Sequence, residues 1–249
     1  MLDDITTGGK VAPLRNVMLL NALINRVQNR NDDDLPGMAC FFGPSGYGKT
    51  MAAVWNAQET RAYWVEAKAT WSRKKLAEKI MRSMGFATFP RTVGDMVEMI
   101  GEEMGKSGRP LLIDEMDAVL TDSNIKMIRD IYESSGGGTL ILIGEETLPR
   151  KLEKWERVHN RMLDWVPAQP ADLREVGLLA QLKHPDLSID QEVLQIILER
   201  SHARPRRIMT SLHRVAEYAL KTGKHEITRA DAQKITFFTG LAPAPRRDV

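Results

Sequence analysis

From residue 11 to residue 30, Leu14, Met18, Leu19, Ala22, Leu23 and Val27 recur at helical intervals, and the turn-forming NDDDLPG then ends the pattern. A helix over 11–30 and a loop are predicted. MACFF at 38–42 is an unbroken apolar run ending at glycine, as expected of a strand buried on both faces. RAYWVEA (61–67), RPLLIDE (109–115), TLILIGE (139–145) and LDWVPA (163–168) are further strand candidates. Helical patterns fall between them at 50–58, 71–84, 92–106, 122–134 and 147–160. This alternation predicts an α/β domain with a mostly parallel sheet flanked by helices, because parallel neighbours need crossover connections. Beyond Pro170 the strand signals stop, and helices are expected at 172–183, 189–201, 205–221 and 228–236. The expected organisation is an α/β domain over 1–170, a small all-helical domain over 171–238 and a flexible basic tail over 239–249.

Composition narrows the class. A chain of 249 residues, 43% hydrophobic and 27% charged, can bury a core and is neither disordered nor a long coiled coil. Its longest apolar runs, 38–42 and 139–143, fall far short of the roughly 20 residues that span a bilayer, so no membrane association is expected. The N-terminus MLDDITTGGK carries acids where an export signal carries bases. A single cysteine, Cys40, excludes an intramolecular disulfide and a cysteine-rich zinc site, fits a reducing cytoplasm and reads as a small core residue. The net charge of +2 hides a gradient: residues 200–249 hold 11 Lys and Arg against 4 Asp and Glu. A second basic stretch, from Arg61 to Arg82, holds seven basic residues against Glu66 and Glu78. Such patches attract polyanions.

Two motifs carry chemistry. GPSGYGKT at 43–50 satisfies G-x-x-x-x-G-K-[ST] between a predicted strand and a predicted helix. Gly43, Pro44, Ser45, Gly46, Tyr47 and Gly48 form a loop whose backbone N–H groups, with the helix start at Thr50 and Met51, point at phosphate oxygens. Lys49 reaches the β and γ phosphates of ATP, and the Thr50 hydroxyl ligates Mg²⁺. LLIDEMD at 111–117 is an apolar strand that delivers Asp114 and Glu115 at its C-terminal end, where open α/β sheets bind ligands. Asp114 is read as holding Mg²⁺ through water, and Glu115 as orienting or deprotonating the attacking water. Together they predict Mg²⁺-dependent ATP hydrolysis.

The two motifs and the trailing helical region resemble the AAA+ ATPases, from about Leu14 to Ile235. The resemblance implies an AAA+ P-loop NTPase fold with the helical region as a lid. It implies a γ-phosphate sensor after TLILI, where Glu145 is the first choice and Thr147 the second, the usual Asn or Thr not being in register. In KWERVHNRMLDW it implies that Arg161, with Arg157 as fallback, is an arginine finger acting on a neighbouring subunit's site. In SHARPRRIMTSLHRV it implies that Arg206, or next Arg207, contacts bound nucleotide. Within the superfamily, the ILIGEETLPRKLEKW…NRM stretch and the compact helical domain look most like transposition ATPases related to the B protein of phage Mu. That likeness implies sequence-nonspecific binding to double-stranded DNA, self-assembly into an ATP-dependent helical filament or ring, and delivery of target DNA to a DDE-type transposase in a bacterial or phage-infected cytoplasm. With about 30 residues before the first strand, the extra N-terminal DNA-binding domain of the Mu protein is not expected. Lys68, Arg73, Lys74 and Lys75 are the expected phosphate contacts, with Arg91 behind them and Trp71 read as core. A helicase or replication-initiator loader is the alternative. Less favoured are a protein unfoldase using GFATF at 85–89 as an aromatic pore loop and a non-hydrolysing scaffold.

Overall fold

The computed structural model describes residues 14–30, 35–238 and 240. Residues 11–13 of the expected first helix, 31–34 of the following loop and, apart from Gly240, the expected tail at 239–249 lie outside the described residues. The chain divides into two units, one of Asn16–Ser45 with Lys49–Ala168 and one that includes Gln169–Val249.

In the first unit α1 (Arg15–Gln28) leads to β1 (Met38–Phe42), α2 (Lys49–Glu59), β2 (Tyr63–Glu66), α3 (Arg73–Ser83), α4 (Val93–Ser107) and β3 (Leu111–Asp114). A 3₁₀ turn at Met116–Val119, α5 (Asp122–Ser134), β4 (Leu140–Gly144), α6 (Leu148–Leu152), α7 (Glu156–His159) and β5 (Met162–Pro167) complete it. The five strands form one parallel sheet in the order β2-β3-β4-β1-β5. Every residue of β3 and β4 is buried, which is why those strands read as continuous apolar runs. Met38, Cys40, Tyr63, Val65, Leu111, Ile113, Leu140 and Leu142 pack with the apolar faces of α3, α4 and α5. The alternate residues Ala39, Phe41, Leu112, Ile141 and Ile143 are buried on the other face.

Side chains set the helix starts. Ser72, Thr92 and Thr121 each accept a hydrogen bond from the backbone N–H three residues on, opening α3, α4 and α5. The fully buried Asn56 of α2 donates to the carbonyls of Val17 and Ala52 and accepts from Asn21, so α1 is pinned to α2 by a satisfied amide. The single helix expected over 147–160 is two short ones. Leu152 and Val158 are both buried, and the chain breaks between them, before Trp155. The indole there donates to Asp122.

The second unit contains α8 (Leu173–Lys183), β6 (Ser188–Ile189), α9 (Gln191–Arg200), α10 (Pro205–Thr222), β7 (Glu226–Ile227) and α11 (Arg229–Ala232). Its core gathers Val176, Leu179, Val193, Ile197, Ile208, Leu212, Val215 and Ile227. Asp172 and Glu175 form a reciprocal capping box at the start of α8. Two features depart from the sequence expectation. β6 and β7 pair as a two-stranded parallel sheet, and the helix expected over 228–236 is a single turn capped by Thr228 and Asp231. A strand of two residues is too short to show a period of two.

Candidate nucleotide site

Leaving β1, the chain turns through Gly43 to Gly48 and enters α2 at Lys49. Gly46 and Gly48 have φ of 86° and 80°, the left-handed region that a side chain disfavours. Gly43 N–H donates to the Gly144 carbonyl at 3.2 Å, tying the loop's first residue to the end of β4. Lys49 is buried, and its Nζ donates to the carbonyls of Gly43 (2.7 Å) and Pro44 (3.1 Å). Burial lowers the Lys49 pKa, while Glu115, Asp114, Glu145 and Asp117 oppose that shift. The lysine of the first motif thus lies in the field of the acids at the ends of β3 and β4.

Asp114 closes β3 and has no exposed surface. One carboxyl oxygen accepts from Glu115 N–H at 2.8 Å, and the other, Oδ2, has no hydrogen-bond partner. Burial pushes its pKa up to about 6, against the Thr50 hydroxyl and the Glu115 N–H, which favour the charged form. Glu115 follows at φ 53°, a left-handed conformation unusual for a residue with a side chain. It leaves the half-buried Glu115 at the mouth of the sheet rather than in line with β3.

Among the described residues no group of three or more His, Cys, Asp and Glu could hold a metal ion by itself. Mg²⁺ needs no such cage, since it takes one or two protein oxygens and completes its shell with phosphate and water. The unpartnered Oδ2 of Asp114 beside Thr50 fits that donor set.

Glu66 was missed in sequence. It ends β2 in register with Asp114, and its charge adds to the upward push on that carboxyl. Only the strand pairing reveals this, since 48 positions separate the two. Asp117 lies within LLIDEMD, beyond the two acids that end the strand. It accepts from the N–H of Glu145 and from Lys151.

Glu145 is the exposed first residue beyond β4, and Thr147 is exposed in the turn after it. Arg161 lies at the opposite edge of the sheet. Its carbonyl accepts from Met38 N–H at the start of β1, and at about 3.3 Å per residue the length of β1 puts it roughly 17 Å from the loop at the other end. It is paired with Glu133 and donates to the Arg157 carbonyl. Arg206 is exposed in the first turn of α10, after His202 and Ala203, which both adopt positive φ.

Lys68, Arg73, Lys74 and Lys75 are all exposed, the first in the loop after β2 and the others in the first turn of α3. Lys74 Nζ donates to the Arg91 carbonyl, and Lys75 sits 3.5 Å from Glu78. No acid occupies that first turn, so three cations oppose the helix dipole. Trp71 is half-buried against the core under Lys79, and Phe86 and Phe89 of GFATF also pack there.

A parallel sheet in this order, with a phosphate loop after its first strand and paired acids after its third, defines the AAA+ P-loop NTPase fold. Residues 32–152 match the AAA domain family model. Its fold is similar to that of the Aeropyrum pernix ORC2 protein, solved as ADPNP-ADP complexes (TM-score 0.70, 15% identity, 91% of this chain and 69% of that one). It is similar also to the Aeropyrum pernix ORC1 protein in complex with DNA (TM-score 0.63, 14% identity, 92% and 67%). The Thermotoga maritima RuvB Holliday junction branch migration motor is a third (TM-score 0.59, 19% identity, 88% and 67%). No curated protein matches the chain in sequence. Among the described residues no helix is long and apolar enough to cross a membrane.

Proposed function

We propose that this protein is a Mg²⁺-dependent ATPase that binds double-stranded DNA without sequence preference, assembles on it when ATP is bound, and delivers target DNA to a DDE-type transposase. The observation that carries the nucleotide chemistry is the convergence of Lys49, Asp114 and Glu115 at one edge of the sheet, with Asp114 Oδ2 unpartnered.

The backbone of Gly43–Met51 cradles the phosphates, and Lys49 exchanges its two loop carbonyls for β and γ oxygens. Thr50 and Asp114 hold Mg²⁺, which when bound neutralises charge developing on the phosphates. Glu115 takes the proton of the attacking water, and Glu145 or the hydroxyl of Thr147 reads the γ-phosphate from the end of β4. Arg206 meets the bound nucleotide. Arg161, across the sheet from its own Lys49, supplies its charge to a neighbour's site. Lys68, Arg73, Lys74 and Lys75 neutralise DNA phosphates, a role supported by cations gathered where the dipole of α3 favours an anion.

The test is co-sedimentation and negative-stain imaging with duplex DNA, with and without a non-hydrolysable ATP analogue. Nucleotide-dependent assemblies on DNA are expected from the wild type and none from Lys49→Ala, whereas Glu115→Gln should bind ATP and stay on DNA. Assembly indifferent to nucleotide, or equal DNA release by both variants, refutes the proposal. A replication-initiator or helicase-loader role is the second reading, favoured by the fold shared with the ORC proteins of Aeropyrum pernix. Stimulation of strand transfer by a purified transposase supports the first role, and loading of a ring helicase onto DNA supports the second.

A further inference from the structure

Asp117 occupies the 3₁₀ turn after β3 and belongs to neither motif's assigned chemistry, yet its side chain is only 10% exposed. Its Oδ2 accepts from the backbone N–H of Glu145 at 2.6 Å, and its Oδ1 accepts from Lys151 Nζ at 2.9 Å. The carboxylate therefore spans from the segment that carries Asp114 and Glu115 to the segment that leaves β4. The approach is close enough that a Cβ at position 144 would run into Asp117 Oδ2, which leaves glycine as the residue that fits there. Gly144 in turn accepts from Gly43 N–H through its carbonyl. This side chain thus ties the turn after β3 to the first residue beyond β4, next to the glycine that holds the loop after β1, and its negative charge reaches Lys49.

We propose that Asp117 is a positioning residue for ATP hydrolysis: by holding the Glu145 peptide it fixes the turn of residues 145–147, and so the polar group that reads the γ-phosphate, relative to the water-activating Glu115. The inference rests on the hydrolytic reading given above. Its physical basis is that the hydrogen bond is charge-assisted, and so stronger than a neutral one. A misplacement of even 1 Å at a reacting centre costs about 10²-fold in rate. Lys151 neutralises the carboxylate from outside and contributes less to the geometry, because its flexible stem imposes little direction.

Three variants separate positioning from general stability. In Asp117→Ala, kcat for ATP should fall roughly 10- to 100-fold while the Kd for ATP moves less than about threefold, the pattern of an interaction that acts on the reaction rather than on binding. Asp117→Asn keeps an acceptor for Glu145 N–H and should recover most of the rate. Lys151→Met, which removes only the outer partner, should remain close to wild type. Deuterium uptake read in peptides covering 144–148 should rise in Asp117→Ala and return in Asp117→Asn, with peptides of β1 and β3 unchanged. Should Asp117→Ala fail to fold, Asp117→Ser shortens the side chain at the same place and carries the same comparison. Turnover in Asp117→Ala equal to wild type, a parallel loss of ATP affinity, or unchanged uptake at 144–148 overturns the assignment. A wild-type protein that binds ATP and never turns it over overturns the hydrolytic reading itself, and the exchange measurement stays interpretable in that case.

Discussion

Asp114→Asn should make the nucleotide-free protein more stable while removing the proposed Mg²⁺-dependent turnover. The carboxyl moves from 3.8 to about 6 because it is buried, with one oxygen unpartnered. At 1.36 kcal/mol per pH unit this corresponds to a penalty of about 3 kcal/mol for carrying the charge at neutral pH. The sign follows from proton counting. Between pH 3.8 and about 6 the folded state holds the proton that the unfolded state has released, so stability falls as pH rises through that window and levels off above it. Asparagine keeps an acceptor for Glu115 N–H and carries no charge, but its amide nitrogen meets the same enclosed surroundings. A net gain of about 1–3 kcal/mol at pH 7.5 is therefore expected, or roughly 2–10 °C in melting temperature for a chain of this size. Thermal unfolding of wild type and variant at pH 4, 6 and 7.5, without nucleotide, reads this directly. The difference should be largest at pH 7.5 and close by pH 4. A variant no more stable than wild type at pH 7.5, or a gap that widens on acidification, refutes the reasoning.

Arg161→Ala should bind nucleotide as wild type does yet lose hydrolysis by about 10³-fold or more, the scale of an arginine finger; unchanged turnover would reject its action on a neighbour. Replacing Lys68, Arg73, Lys74 and Lys75 together by alanine should flatten the log–log salt dependence of DNA binding by up to about 4 × 0.9 in slope, and an unaltered slope would remove these residues from the DNA contact. Gly101→Ala sets two effects against each other. Alanine is the better helix former by about 1 kcal/mol, but its Cβ would run into Ser134 where α4 meets α5, and overpacking costs about 1–3 kcal/mol. Chemical denaturation should show net destabilisation, and a stabilised variant would mean that α5 yields readily.

What the sequence revealed and what it concealed follow from the range of the forces involved. β1, β3 and β4 were legible because burial on both faces demands unbroken apolar runs, and the turn of 43–48 was legible because the positive φ of Gly46 and Gly48 calls for glycine. The place of Asp114 and Glu115 was readable because they lie side by side at the end of an apolar strand. The surroundings of Glu66 and Asp117 were not, because only strand order brings their neighbours near. The break before Trp155 hid because Leu148, Leu152, Trp155 and Val158 suit one helical face locally, and the indole's bond to Asp122 joins residues 33 positions apart. β6 and β7, two residues each, carry too little pattern to be seen.

The placement of Arg161 and Lys49 at opposite edges of one sheet has a directional consequence. Were protomers to lend an arginine each to the next, as proposed, they would stack head to tail, and any open chain of them would end in one member without a donor. That member would keep its triphosphate longest. Growth and shedding would then differ between the two termini, and the assembly would have a polarity.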